Sequence, residues 1–236
     1  MPDGEDAYGQ LVLAYFEGRP RAREIVERDD GMIEATDGPA SYFAPVRSWP
    51  AVERRGLRSV RGRVLDVGCG AGRVALELQA RGHDVVAIDS SPLAVEVARR
   101  RGVRDARVLP FEQVGPTLGR FDTVVMYGNN FGLFGGEVKA RRLLRRLRSL
   151  AGRIVASSRD LYETDDPAHL AYQERNRRRG RMPGQMRLRI RYRQYTSRWF
   201  DYLIASPGEV EMLVDGTGWQ LARTIPGESL YVAVLE

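Results

Sequence analysis

From Arg63 onward, short apolar runs alternate with amphipathic stretches, the pattern of parallel strands joined by crossover helices that cover both faces of a sheet. Val64-Leu65-Asp66-Val67 is the first predicted strand. Its helix runs from about Gly72 to Arg81, and Gly82 stands where a helix stop belongs. Residues 84–89 form strand two. Pro92 then takes a favoured first helical position, Ala94, Val95, Val97 and Ala98 supply an apolar face, and Gly102 ends the helix. Strands three, four and five fall at residues 107–109, 121–127 and 153–157. A helix over 137–149 precedes the last of these and turns Leu143, Leu144 and Leu147 inward.

After strand five the alternation stops. At the centre of residues 158–204, Met186-Arg187-Leu188-Arg189-Ile190-Arg191-Tyr192-Arg193 alternates apolar residues with arginine, which predicts a strand with one packed and one charged face. Residues 199–205 are its predicted partner. Ser206-Pro207-Gly208-Glu209 is a capping-box helix start, and residues 219–225 and 230–235, joined by Pro226-Gly227-Glu228, read as a closing antiparallel hairpin. Near the N-terminus, Tyr8, Leu11, Val12, Tyr15 and Phe16 have helical spacing. A second helical segment is expected from Pro20 through Ile25 and Val26. The expected architecture is a doubly wound, Rossmann-like α/β fold: a helical cap at 1–60, a core at 61–157, a β-containing insertion at 158–204, and a C-terminal helix and hairpin at 205–236. Five strands and the hairpin make a mostly parallel seven-stranded sheet.

Composition narrows the class of protein. The 236 residues suit one core domain with elaborations, and 43% hydrophobic with 29% charged residues is ordinary for a globular chain. No apolar run approaches the roughly 20 residues of a membrane helix, and the acidic Met1-Pro2-Asp3-Gly4-Glu5-Asp6 start lacks the layout of a secretion signal. A cytoplasmic protein is expected. Cys69 is the one cysteine and His83 and His169 are the two histidines, so neither a disulfide nor a metal site is expected. The net charge of +6 suggests anionic partners. Of the 37 basic residues, however, only Lys139 is lysine, a bias that points to codon usage in a GC-rich genome.

The candidate chemistry sits at Asp66-Val67-Gly68-Cys69-Gly70-Ala71-Gly72, where glycines let the backbone turn sharply from strand to helix and approach a ligand. Asp89, 23 positions after Asp66 and at the end of strand two, can accept hydrogen bonds from ribose hydroxyls. A G-x-G-x-G spacing differs from the G-x-G-x-x-G turn that admits a pyrophosphate. An acid ahead of the first glycine suits a cofactor carrying an ammonium and a sulfonium.

Residues 64–73 resemble the first motif of the class I S-adenosylmethionine-dependent methyltransferases. Ala87-Ile88-Asp89-Ser90-Ser91-Pro92 resembles their second motif and Phe121-Asp122-Thr123-Val124-Val125 their fourth-strand motif. The resemblance covers about residues 60–157 and the closing hairpin. It implies S-adenosylmethionine as cofactor and S-adenosylhomocysteine as product. It places Asp66, Gly68 and Gly70 at the methionine end, Asp89 on the ribose and Ser90 against the adenosine; Cys69 and Gly72 belong to the same cofactor-binding turn, Cys69 as a packing residue. Phe111 and Glu112, after strand three, fall at the adenine site, or in an ordinary loop with Phe111 in the core. Tyr127, Gly128 and Asn129 follow strand four near the transferable methyl, with Asn130 beside them, accepting from the cofactor or orienting the acceptor.

The expected acceptor is a small molecule methylated on O, N or C, with bacterial specialised metabolism as a setting. Tyr15, Tyr42, Phe43, Asn130 and Trp199 are candidates for its pocket or for plain packing. His169 is a candidate general base or a surface histidine, and Asn130 a second catalytic candidate. The chain has no Asn/Asp-Pro-Pro-aromatic run after strand four and no second cysteine, which disfavours nucleobase chemistry and a nucleic-acid partner. Two rivals stand: an RNA or protein methyltransferase gripping its substrate with the insertion arginines, and a binding module without turnover. The insertion can also pair with a second subunit in a homodimer.

Overall fold

The period of the apolar positions separates strands from helices, and the computed structural model, which describes residues 3–19, 22–36, 38–228 and 230–236, follows it through the core. In chain order the elements are α1 (Ala7–Phe16), β1 (Ile25–Arg28), β2 (Ile33–Ala35), α2 (Ala40–Phe43), α3 (Ala51–Gly56), β3 (Arg63–Val67), α4 (Arg73–Ala80), β4 (Asp84–Asp89), α5 (Pro92–Arg100) and β5 (Ala106–Val108). There follow β6 (Thr123–Met126), α6 (Glu137–Arg148), β7 (Ile154–Ser158), α7 (Pro167–Arg178), β8 (Gln185–Tyr192), β9 (Tyr195–Thr196), β10 (Phe200–Leu203), α8 (Pro207–Val214), β11 (Leu221–Ile225) and β12 (Tyr231–Leu235).

The main sheet has seven strands in the order β11-β12-β7-β6-β3-β4-β5. The pairs β3–β4, β4–β5 and β6–β7 are parallel, whereas β12 runs antiparallel to both β7 and β11. This is the expected α/β Rossmann-like fold with its C-terminal antiparallel hairpin. β6 and β7 are buried along their whole length, which is why their sequences read as unbroken runs of apolar or small residues.

The chain packs as two compact units. The first holds residues up to Trp49, Gly62–Val114 and Leu188–Phe200; the second holds Pro50–Arg61, Gly115–Arg187 and Asp201–Glu236. In the first, α1 packs Val12 against Ala71, Ala94 and Val97, so the helix lies along α5 and the loop after β3. The other side of α1 buries Ala7, Leu11 and Ala14 against Tyr192. In the second, Trp219 donates its indole N–H to the Leu144 carbonyl at 2.8 Å, and the capping box at Ser206 and Glu209 starts α8 as predicted. Among the described residues, no helix is long and apolar enough to cross a membrane.

One segment departs from the sequence reading. Ile25–Arg28 is a strand, not a helix, and it pairs antiparallel with β8 in a second sheet of order β10-β8-β1-β2, with β9 also on β8. Pro20, which was expected to open that helix, lies outside the described residues. The reason is tertiary: Glu27 stands opposite Arg189 and binds it through both carboxylate oxygens at 2.7 and 2.9 Å, and it also takes Arg191 at 3.1 Å. Ile25 and Val26 are β-branched and suit a strand. The cap is therefore only partly helical.

Candidate functional site

Between β3 and α4 the backbone passes through the left-handed region at Gly68, Gly70 and Gly72, with φ of 71°, 51° and 80°. At Gly70 a Cβ would also meet the Tyr8 hydroxyl, and at Gly72 the Val103 side chain, so conformation and space both require glycine. The turn is fastened to β4: the N–H groups of Gly68 and Cys69 donate to the Ile88 carbonyl at 2.9 and 3.0 Å. Burial pushes the Cys69 thiol well above its ordinary pKa, which keeps it neutral and fits its packing role.

Asp89 is braced from both sides. One carboxylate oxygen accepts the Gly70 N–H at 2.9 Å and the other the Ser91 N–H at 2.9 Å. Burial raises its pKa above the usual carboxylate range in spite of these bonds. Ser90, next in the chain, is exposed.

Asp66 is 1% exposed, and its Oδ2 has no hydrogen-bond partner among the described residues. Burial raises its pKa to about 7, against the opposing pull of Arg73 and a backbone bond from Ala75, with Asp89 adding to the rise. A buried carboxylate oxygen left unpaired is costly unless a ligand supplies the donor. A buried and a half-buried acid flanking a glycine turn repel phosphate and accept ammonium and hydroxyl groups. That set of acceptors suits a ligand carrying an ammonium and hydroxyl groups.

Other predicted residues of the same unit have packing roles in view. Phe111 is buried in a short 3-10 turn after β5, while Glu112 is exposed. Tyr15 packs on Phe43 at 4.9 Å between ring centres, and the Arg101 guanidinium lies over Phe43 at 4.6 Å. Arg101 also donates to the Ala71 carbonyl at 2.5 Å, so α2 is held beside the glycine turn. Tyr42 donates its hydroxyl to Glu24 at 3.0 Å and meets Tyr8 edge-on at 5.4 Å. Trp199 lies under Arg189 at 4.6 Å. Asp6, Glu24 and Arg101 were not marked as site residues by the sequence, and Tyr8 was read only as a helical position. Asp6 directly before an apolar-periodic run is a helix N-cap signal; nothing local marks the others.

In the second unit, the loop after β6 is built on Glu53, a further residue with no sequence signal. Its Oε1 accepts the Gly128 N–H at 2.7 Å and the Ser157 hydroxyl at 3.0 Å, and Glu53 is 1% exposed. Tyr127 is buried. Asn129 is left-handed at φ 66°; its N–H reaches the Ser157 hydroxyl at 2.9 Å and its carbonyl accepts the Tyr202 hydroxyl at 2.6 Å. Its side-chain Oδ1 is buried without a partner among the described residues. Asn130 opens a 3-10 turn and is half-buried. His169 lies in the first turn of α7, its backbone N–H directed at Asp166.

A methyltransferase-domain family model matches residues 64–151. The magnesium-protoporphyrin O-methyltransferase of Rhodobacter capsulatus is 45% identical over 67 residues, 27% of this chain and 30% of that protein. The ubiquinone biosynthesis O-methyltransferase of Methylocella silvestris is 38% identical over 79 residues, 31% of each. The matched stretch thus spans under a third of these curated relatives. A crystal structure of an S-adenosylmethionine-dependent methyltransferase from Bacteroides fragilis in complex with S-adenosylhomocysteine is 28% identical, covering 100% of this chain and 96% of that one with a TM-score of 0.84. The CcbJ methyltransferase of Streptomyces caelestis shares the fold at 16% identity, 99% and 98% coverage and a TM-score of 0.62.

Proposed function

We propose that this chain, which belongs to the class I S-adenosylmethionine-dependent methyltransferases, is an enzyme that methylates O, N or C of a small-molecule acceptor. The observation that carries the reading is the unpartnered, buried Oδ2 of Asp66 ahead of a glycine turn whose far side is braced by Asp89. Asp66 takes the amino group of the cofactor, the backbone of Gly68–Gly72 follows its methionine chain, and Asp89 takes the ribose hydroxyls. Ser90, Phe111 and Glu112 are the adenosine-side candidates, with Phe111 acting as a wall of the core. Tyr127, Gly128 and Asn129 are cofactor candidates by their place directly after β6, and Asn130 is a candidate for the acceptor.

When bound, the cofactor supplies a sulfonium methyl: an acceptor lone pair forms the new bond to carbon as the carbon–sulfur bond breaks toward sulfur. The chain's own contribution is placement, which can supply much of the rate of an in-line displacement. A buried, neutral Cys69 offers no nucleophile for this step.

A small acceptor is favoured over RNA by the arginines at 187, 189 and 191 of β8, which face carboxylates of this chain. Arg189 and Arg191 bind Glu27, and Arg187 lies 3.9 Å from Asp201. The test is incubation with methyl-labelled cofactor and an extract of source cells. Label in a low-mass compound supports the proposal. Label in RNA or protein establishes the macromolecular rival, and no label from a protein that binds the cofactor establishes a binding module.

A further inference from the structure

The Tyr8 hydroxyl occupies the space a side chain at position 70 would need. It is delivered there by α1, whose residues Tyr8 and Val12 pack in the cluster with Ala71, Ala94 and Val97. The ring is set edge-on against Tyr42, and the Tyr42 hydroxyl is committed to Glu24. Among the described residues the Tyr8 hydroxyl has no hydrogen-bond partner. A polar group placed on the turn by a rigid helix, and unpaired there, points to a ligand atom.

Chemistry selects which atom. Asp66 and Asp89 in this turn are acceptors, suited to ammonium and hydroxyl, and neither can meet an anion. An amino-acid moiety is a zwitterion and also needs a donor. Arg73 stacks on Trp49 at 4.5 Å, and Arg101 is engaged by the Ala71 and Tyr42 carbonyls. Tyr8 remains. Burial, with Tyr42, Asp89 and Glu24 nearby, holds its phenol protonated well beyond the usual range, so it is a donor at working pH.

Resting on the cofactor reading above, we propose that Tyr8 is a cofactor-binding residue whose phenolic O–H donates to the carboxylate of the cofactor's methionine moiety, opposite in role to Asp66 at the ammonium. Tyr8→Phe keeps the ring and its contact with Tyr42 and removes only the donor. The test titrates native and variant protein with S-adenosylhomocysteine and with methylthioadenosine, which has the nucleoside and thioether but no amino-acid group. The expected result is S-adenosylhomocysteine binding weakened by about 5- to 50-fold with methylthioadenosine unchanged within about twofold. Unchanged S-adenosylhomocysteine binding, or equal weakening of both ligands, overturns the assignment while leaving the cofactor reading in place. Native protein that binds neither ligand overturns the cofactor reading itself, and this assignment with it.

Discussion

The Asp6 carboxylate accepts the Ser91 hydroxyl at 2.8 Å, across 85 positions of sequence. It also accepts the Gly9 N–H at 2.9 Å and the Leu93 N–H at 3.3 Å, while Ser91 caps Ala94 at 3.0 Å. One buried carboxylate therefore serves the N-termini of both α1 and α5. It fixes the helix carrying Tyr8 to the segment that follows Asp89.

Asp6→Ala leaves a hydroxyl and two helix-end N–H groups without their acceptor. The expected loss of stability is about 2–3 kcal/mol in urea denaturation, with Ser91→Ala and the double variant non-additive by roughly 1 kcal/mol. A loss under about 0.5 kcal/mol, or strict additivity, contradicts the shared-cap account.

Asp66 makes both stability and binding pH-dependent. Its folded pKa of about 7 lies above the ordinary carboxyl value of about 3.8, so its contribution to stability is fully present below the lower value and is lost as pH rises through the higher one. A cationic ligand favours the ionised form, which reverses the sign for binding: protons are released and affinity rises with pH. S-adenosylhomocysteine is expected to bind about tenfold more tightly at about pH 8 than at about pH 6, and Asp66→Asn should remove that slope. Native affinity that is flat across this window rejects the role given to Asp66.

Asp89→Ala removes the ribose acceptor and strands the N–H groups of Gly70 and Ser91. S-adenosylhomocysteine binding should weaken by about 1–3 kcal/mol, with a lower melting temperature from the loosened turn. Asp89→Asn can keep one backbone acceptor and should fall between. Native-like calorimetry for Asp89→Ala contradicts the assignment.

Glu53 predicts an effect in the second unit. Replacing it with Ala deprives Gly128 and Ser157 of their common acceptor and should destabilise by about 1.5–3 kcal/mol. A change within about 0.5 kcal/mol would show that the loop after β6 does not depend on it.

What was legible in the chain was what local pattern encodes. The glycine turn, Asp66 and Asp89 are read from spacing, because a strand, a left-handed turn and a helix start occupy adjacent residues. The capping box at Ser206 is equally local. β1 was missed because four residues carry too little periodicity, and its partner β8 lies roughly 160 positions away, supplying arginines for Glu27. The same separation hides Glu53 and the second role of Asp6: neighbouring residues say nothing about a carboxylate whose partners come from distant segments. Tyr15 and Phe43 show the converse limit, since an aromatic at helical spacing reads alike whether it lines a pocket or packs against another ring.

Calorimetric titration of the native protein with S-adenosylhomocysteine and, separately, with NAD tests the central claim most directly. Saturable binding of S-adenosylhomocysteine at one site per chain, with no binding heat from NAD, is the predicted result. Tight binding of NAD with no response to S-adenosylhomocysteine would contradict it.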